Sequence, residues 1–261
     1  MKTRSMLLAA AVLLAPATAF AQSQLPTCNN GATGAPISAS ANSPFLWAFV
    51  NDVCADLSGY LVSAAAGDVW AFNTPTLTIG HASVRVHASY NSDPFISFGA
   101  TTTNLSGGPT TFSFLFGTPI IPGLYTNATS TGGLTVTNGA RGNTTVSTSG
   151  VHPTYISGYG TAGPFSTNLG VDLGTASCNA SGASFAVTTV CNQGSAANAF
   201  APTFYDNLEA LLTYRQNDVA SVASWSGAIT LTTTTPEPAM ITLFGTGLLV
   251  VGGLATRRRR V

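Results

Sequence analysis

Short runs of β-branched and aromatic residues recur along the middle of the chain, and clusters of Gly, Asn, Pro and Ser separate them. Runs of strand length with turn residues between them predict an all-β protein. The clearest alternation lies in residues 81–90, where the even-numbered positions are Ala, Val, Val, Ala and Tyr. His81, Arg85 and His87 fall on the opposite face of that strand. We expect a single β-sandwich of jelly-roll or immunoglobulin-like type over residues 22–231.

Eight further strands follow from the same pattern, and turn signals such as Asn138-Gly139 and Gln216-Asn217-Asp218 lie between them. The predicted strands are Val69–Asn73, Phe95–Asn104, Thr110–Gly117, Gly133–Thr137, Thr144–Thr148, Phe185–Val190, Leu208–Tyr214 and Ser224–Leu231.

Two segments predict something other than a strand. Apolar residues between Leu46 and Leu57 have helical spacing, with Ser43 and Pro44 placed to begin a short helix. Residues 158–163, Gly-Tyr-Gly-Thr-Ala-Gly, superficially resemble a phosphate-binding loop. They lack the P-loop lysine and follow no strand–helix unit, so we predict an ordinary loop.

The first residues have the three parts of a secretory signal peptide. Lys2 and Arg4 supply positive charge, residues 6–15 are apolar, and Ala19-Phe20-Ala21 is a small-x-small cleavage site. We predict a signal peptide of residues 1–21 that is cleaved after Ala21. The alternative is an uncleaved anchor, for which the apolar core is too short.

The last residues predict a membrane segment. Ala239 to Ala255 contains no charged residue, and as a helix these seventeen residues would extend roughly 25 Å. Arg257, Arg258, Arg259 and Arg260 follow, and by the positive-inside rule they stay in the cytoplasm. With the predicted signal peptide, this topology exports the body and holds its tail in the inner membrane.

The segment Thr235-Pro236-Glu237-Pro238-Ala239, the Gly-containing apolar run and the terminal arginines resemble the PEP-CTERM sorting signal of bacterial exopolysaccharide-associated proteins. The resemblance implies that exosortase recognises Pro236, Glu237 and Pro238 as a processing site. It also implies that the body then passes to the cell surface or extracellular matrix. Residues 236–261 would form the signal and residues 232–235 a spacer. The alternative is a single-pass anchor without processing.

The resemblance extends loosely into the body. The stretch from Asp93-Pro94 to Pro119-Ile120, with its alternating aromatic residues, is similar to the bodies of many PEP-CTERM proteins. The pairing of Leu208–Tyr214 with Ser224–Leu231 ahead of the sorting signal is similar too. This part of the resemblance implies a β-sandwich and no activity.

Charged residues make up only 7% of the chain, against roughly 25% in ordinary soluble domains. Between Gln22 and Thr235, three bases and eight acids leave a charge of −5. A mildly acidic body without a basic patch argues against nucleic-acid binding. No lysine follows Lys2, which excludes lysine-dependent catalysis from the mature protein.

The four cysteines all lie in the predicted exported body. An even number in an exported chain favours disulfides, and four cysteines allow three connectivities. We predict Cys28–Cys54 and Cys178–Cys191, because pairs close in sequence form readily. A zinc site is the alternative, and no CxxC spacing supports it.

No set of side chains predicts catalysis, a metal or a cofactor. His81 and His87 are six residues apart on a strand, or about 20 Å, too far to share a metal ion. Asp206 and Glu209 would point to opposite faces of a strand, so they do not form a glycosidase pair. Asp52 and Asp56 have helical spacing and are expected to face solvent. We therefore expect a protein that is not an enzyme.

Three functions compete on this basis. The first is a structural or adhesive component of the exopolysaccharide matrix or biofilm, supported by the sorting signal and the uncharged polar composition. The second is a carbohydrate-binding module, and the third, least supported, is a secreted hydrolase. Binding to sugars would need exposed aromatic side chains, whereas core packing is the usual role of such residues. The candidates are Trp47, Trp70, Tyr155, Tyr159 and Trp225.

The tail makes a testable prediction about processing. Mass spectrometry of the secreted protein is expected to find a C-terminus close to residues 236–238, because the extended Pro-Glu-Pro segment is where a processing enzyme can bind. A secreted form that retains Arg257–Arg260 would contradict processing. The N-terminus of the same sample is expected at Gln22.

Overall fold

A computed structural model describes residues 43–63, 69–150, 152–163, 165–182 and 186–233. These residues form fourteen strands and one short 3-10 turn at Ser58–Tyr60, and all the strand pairs are antiparallel. The strands are β1 Phe45–Val50, β2 Val53–Asp56, β3 Leu61–Ser63, β4 Val69–Asn73, β5 Leu77–Ile79, β6 Ala82–Asn91, β7 Phe95–Asn104, β8 Thr110–Thr137, β9 Asn143–Ser147, β10 Ile156–Ala162, β11 Phe165–Asn168, β12 Cys178–Ser181, β13 Thr188–Gln216 and β14 Val222–Thr232.

Two very long strands, β8 and β13, pair with each other from end to end. The second edge of β8 is divided between two neighbours: residues 112–117 pair with β1, and residues 127–137 pair with β14. Between these stretches the β8–β13 register shifts around Pro202. Proline lacks the amide hydrogen that a ladder needs, and such shifts bend a strand. The sheet is thereby divided into two halves.

We call the two parts the narrow half and the wide half. The narrow half contains β2, β1, the first part of β8, the last part of β13, β10 and β11. The wide half contains the first part of β13, the last part of β8, β14, β7, β6, β4 and β3, with β5 beside β6. Both halves belong to one continuous antiparallel sheet.

The two halves pack against each other through aromatic side chains. Phe98 of the wide half stacks on Phe116 of the narrow half with ring centroids 4.6 Å apart. Tyr214 lies 5.4 Å from Trp225, and its hydroxyl is 2.7 Å from the Thr102 hydroxyl. This face-to-face packing is consistent with a β-sandwich. The choice between a jelly-roll and an immunoglobulin-like arrangement stays a prediction.

Several strand predictions are confirmed. β4 and β7 have the predicted bounds, and along β6 the even-numbered residues from Ala82 to Tyr90 are buried, while Arg85 and His87 are exposed. The separate strands predicted at Thr110–Gly117 and Gly133–Thr137 are parts of β8. β14 continues to Thr232, which is one residue beyond the predicted end of the body.

The helix predicted between Leu46 and Leu57 is wrong. The segment forms a hairpin of β1 and β2, in which Val50 pairs with Val53 across Asn51 and Asp52, and Asn51 has a φ of 49°. Leu46, Ala48 and Val50 enter the main core, while Phe45 and Phe49 belong to a second apolar cluster on the other face. A strand that is buried on both faces does not alternate between apolar and polar residues. Its continuous apolar run therefore also fits the spacing expected of a helix.

The loop predicted at residues 158–163 is also wrong in large part, because β10 covers Ile156–Ala162. Its glycines make room for core side chains rather than for a turn. A Cβ atom on Gly160 would lie 2.6 Å from the Tyr205 ring, and one on Gly158 would lie 2.9 Å from Val171. Glycine in a strand marks this kind of close approach.

The predicted Cys178–Cys191 disulfide is confirmed, and it joins β12 to β13 with Cα atoms 6.0 Å apart. Cys54 is disulfide-bonded as well. Cys28 lies outside the described residues, so the predicted Cys28–Cys54 pairing stays a prediction.

The predicted end signals also lie outside the described residues. These are the signal-peptide residues Ala19 and Ala21, the Pro236-Glu237-Pro238 motif and Arg257–Arg260. In the described ranges, no helix is long and apolar enough to cross a membrane.

Gly139 provides a test of the packing beyond the end of β8. A Cβ atom there would lie 2.1 Å from the Val219 carbonyl oxygen and 2.6 Å from the Ser221 amide nitrogen, and neither backbone atom can rotate away. Gly139→Ala is expected to lower the free energy of unfolding by about 1–3 kcal/mol, measured by urea denaturation. Gly107→Ala, whose Cβ would meet nothing within 4 Å, is the control and should leave stability nearly unchanged. Equal stability of both variants would contradict the packing.

Candidate functional site

The outward-facing side chains of the wide half are mostly Ser, Thr, Asn and Gly. Residues opposite each other in a sheet share a face, so the register defines rows that cross the strands. One row crosses β6, β7, β14, β8 and β13, and five strands span about 19 Å. Its members are His87, Gly99, Ser226, Gly133 and Asn192. We call this surface the polar face.

Hydroxyl groups pair across the strands of the polar face. In the next row, the Thr101 hydroxyl lies 3.1 Å from the Ser224 hydroxyl, and at one edge Thr137 lies 3.0 Å from Thr188. Each hydroxyl in such a pair keeps further hydrogen-bonding capacity, because it is one donor and two acceptors. The face therefore offers many weak hydrogen-bonding groups in a regular array.

A shallow groove of about 410 Å³ opens on the polar face. Its lining consists only of Ser, Thr, Asn, Gly and Ala residues, including Thr131, Asn192 and Ser226. The adjacent glycines 132 and 133 have different roles. A Cβ on Gly132 would lie 2.6 Å from the core residue Ile156, whereas one on Gly133 would meet only the Ser226 hydroxyl, at 3.4 Å. The first glycine is required by the core, and the second leaves the groove open.

The polar face carries two basic side chains. Arg85 and His87 are exposed on β6, and the His87 ring lies over Gly99, where a Cβ would be 2.2 Å from it. In the wide half, the outward positions of these five strands include no acidic residue. Arg85 takes part in no salt bridge among the described residues. The face thus differs from the acidic body as a whole in the sign of its charge.

No protein-family model matches the chain, and no curated protein matches it in sequence. Among solved structures that match its shape is the one titled TmCBM61 in complex with β-1,4-galactotriose. The identity is 9%, the match covers 57% of this chain and 80% of the other, and the TM-score is 0.23. At that score the likeness carries no argument about fold or ligand.

The aromatic residues proposed from the sequence as sugar-binding candidates do not form an exposed platform. Tyr155, Tyr159 and Trp225 are buried, and Trp47 and Trp70 are half-buried. Trp225 packs on Tyr155 with ring centroids 4.8 Å apart. These rings fill the core or its border, which is the usual role of large aromatics. The polar face was missed because its signal is the absence of large side chains at alternate positions.

His81 precedes β6 and His87 lies within it, and the expected separation of the two side chains stays a prediction. Among the described residues, no group of three or more His, Cys, Asp or Glu side chains is placed to hold a metal ion.

Asp52 and Asp56 do not share a helix, so the helical spacing predicted for them is wrong. Asp52 lies in the β1–β2 turn and Asp56 in β2, and both are exposed as expected. Asp56 accepts a hydrogen bond from the Ser58 amide at 2.8 Å.

Asp206 and Glu209 lie in different surroundings. Asp206 is half-exposed, whereas Glu209 is fully buried on the side of the narrow half that faces away from the main core. The Thr161 hydroxyl donates to Glu209 Oε1 at 2.9 Å, and no described residue donates a hydrogen bond to Oε2. Burial raises the pKa of Glu209 to about 7, and the Thr161 hydrogen bond opposes this in part. The protonated carboxyl is thus the favoured form in the folded protein below neutral pH.

The buried carboxyl predicts how stability depends on pH. An unfolded chain ionises Glu209 near its ordinary pKa of 4.5, whereas the folded chain holds the proton up to about pH 7. The folded state therefore binds more protons between these values, and this group's stabilising contribution is lost as the pH rises. Glu209→Gln is expected to remove that slope. Its free energy of unfolding should exceed the native value above pH 7 by on the order of 3 kcal/mol.

Urea denaturation of the native chain and of Glu209→Gln at several pH values isolates this group, because the other acids contribute equally to both. Asp206→Asn, at the half-exposed position on the same strand, is the matched control and should retain the part of the slope that comes from Glu209. A pH profile of Glu209→Gln that is parallel to the native one would contradict the assignment.

Proposed function

We propose that this protein is an exported, non-catalytic adhesive component of the cell surface or extracellular matrix, and that its polar face contacts polysaccharide. The observation that carries the proposal is the groove on the polar face, lined by hydroxyl, amide and backbone groups without a charged or large apolar side chain. Sugar hydroxyls both donate and accept hydrogen bonds, as Ser, Thr and Asn side chains do.

The shape of the polar face supports an extended ligand. A five-strand row offers about 19 Å of surface, and the groove lies in the middle strands of the wide half, between β7 and β13. A polymer of repeating sugars can make many weak contacts with this face. Once one sugar is bound, the contacts of its neighbours are intramolecular, so the affinity for the polymer exceeds that for a single sugar. This mode suits retention in a matrix better than capture of a single small sugar.

The charge of the polar face supports a preference among polysaccharides. Arg85 and His87 border the groove strands on β6, and no acidic side chain faces the ligand there. An acid-bearing polymer would pair with Arg85 and keep its hydroxyls on the groove. We therefore propose that uronic-acid polymers bind more tightly than neutral ones, and that this preference weakens with salt.

The cellular part of the proposal is supported by sequence. The predicted signal peptide, the resemblance to PEP-CTERM sorting signals and the expected processing by exosortase would deliver the body outside the inner membrane. The Cys178–Cys191 disulfide fits an oxidising compartment. A carbohydrate-binding module without a matrix role is the second candidate, and both would use the same face.

Filling the groove tests the proposed face. Gly133→Val adds a side chain where only the Ser226 hydroxyl lies within 4 Å of the new Cβ, so the fold should tolerate it. Retardation of the secreted protein in gels containing alginate, and in gels containing dextran, measures binding. The substitution is expected to weaken alginate binding about tenfold, which corresponds to about 1.4 kcal/mol.

Thr78→Val on β5, exposed on the same side of the wide half but outside the groove, is the control and should bind like the native protein. Retardation of the native protein by neither polymer would reject the proposed function. Equal retardation of native and Gly133→Val protein would move the binding site away from the groove.

A further inference from the structure

A short stretch of the β8–β13 ladder exposes three large apolar side chains. Ile121 is 60% exposed, Leu124 58% and Phe204 49%. Leu124 of β8 and Phe204 of β13 are direct partners in the ladder, so their side chains are adjacent on one face. Single exposed apolar residues are ordinary, but a group of them marks an interaction surface. We call these three residues the apolar end.

The apolar end is held in place by the fold. It lies where β8 and β13 bend from one half of the sheet to the other, next to the exposed Pro122 and Pro202. The Tyr125 hydroxyl donates to the Ile121 carbonyl at 2.5 Å, and the Ile121 amide donates to the Ser92 carbonyl at 3.0 Å. The exposed side chains are therefore presented on a defined backbone.

The C-terminal tail leaves the body at this same end. β14 finishes at Thr232, which pairs with Asn127, three residues from Leu124 along β8. Only residues 233–238 separate this point from the charge-free run that begins at Ala239. Six residues reach at most about 20 Å when fully extended. A tail inserted in a bilayer would keep the apolar end beside the lipid surface.

We propose that the apolar end rests on the surface of the membrane that holds the tail, so that the anchored protein stands on this end with the body pointing away. This proposal rests on the predicted membrane insertion of the tail, and it adds a second, non-covalent contact. Leucine, isoleucine and phenylalanine side chains enter the interfacial region of a bilayer readily. The short tether supplies the local concentration that three side chains alone could not.

The contact is apolar rather than electrostatic. The charged groups near the apolar end are acids: Asp93 is exposed in the β6–β7 turn, and Asp206 follows Phe204 by two residues on β13. Acidic groups are not attracted to anionic lipid headgroups. We therefore commit to a zwitterionic lipid surface as the occupant, and phosphatidylcholine is the appropriate probe.

Brominated lipids can test the contact, because bromine on the acyl chains quenches nearby tryptophan. Full-length protein is placed in phosphatidylcholine nanodiscs that hold one chain each. Phe204→Trp puts an indole at the apolar end, and Leu105→Trp is the matched control. Leu105 is 52% exposed and lies in the β7–β8 turn at the opposite end of the wide half. The three native tryptophans give the same background in both variants.

The added emission of Phe204→Trp is expected to fall at least about twofold in brominated discs, and that of Leu105→Trp should not change. Chains that enter the discs but show equal quenching in both variants would overturn the proposal alone. Failure of the chain to enter discs would overturn it together with the predicted anchor. If the emission of Phe204→Trp changes only with protein concentration in detergent, the apolar end contacts a second copy of the protein. That result would also overturn the proposal.

Discussion

The pairing of β8 with β13 is the constraint on which the rest of the structure depends. Each strand is long enough to run through both halves of the sheet, and the pairing continues across three register shifts. Because β8 gives one edge to β13 throughout, its other edge is free to receive β1 in one half and β14 in the other. The remaining strands attach to this framework, and the aromatic contacts between the halves follow from its bend.

The parts of the fold that were predictable are those with one buried face. β6 is an example, since its alternation assigns Tyr90 to the core and Arg85 to solvent without ambiguity. The hairpin at Phe45–Asp56 was not predictable in this way, because Phe45 and Leu46 both become buried on opposite faces. Local pattern cannot distinguish a strand covered on two sides from a buried helix. β10 was hidden for another reason: its glycines are required by Tyr205 and Val171, which are distant in sequence.

The candidate site was less predictable than the fold. Tyrosine and tryptophan are visible in a sequence, and they suggested a sugar-binding platform, but Tyr159 and Trp225 are needed in apolar clusters. The polar face is built from residues that carry little information one at a time. Ser226, Gly133 and Asn192 come together only through the register of three strands. Long-range register is a tertiary property, and no short motif in the chain encodes it.

The position of β14 has a mechanical consequence. This strand carries the tail, and it is hydrogen-bonded to β7 along one edge and to β8 along the other. A force that pulls on the tail acts along β14. It therefore shears the β14–β7 and β14–β8 ladders, in which many hydrogen bonds must break at the same time. An edge strand would instead be peeled away one bond at a time. A body attached through a central strand can therefore bear the drag of a surrounding gel without unravelling from its point of attachment.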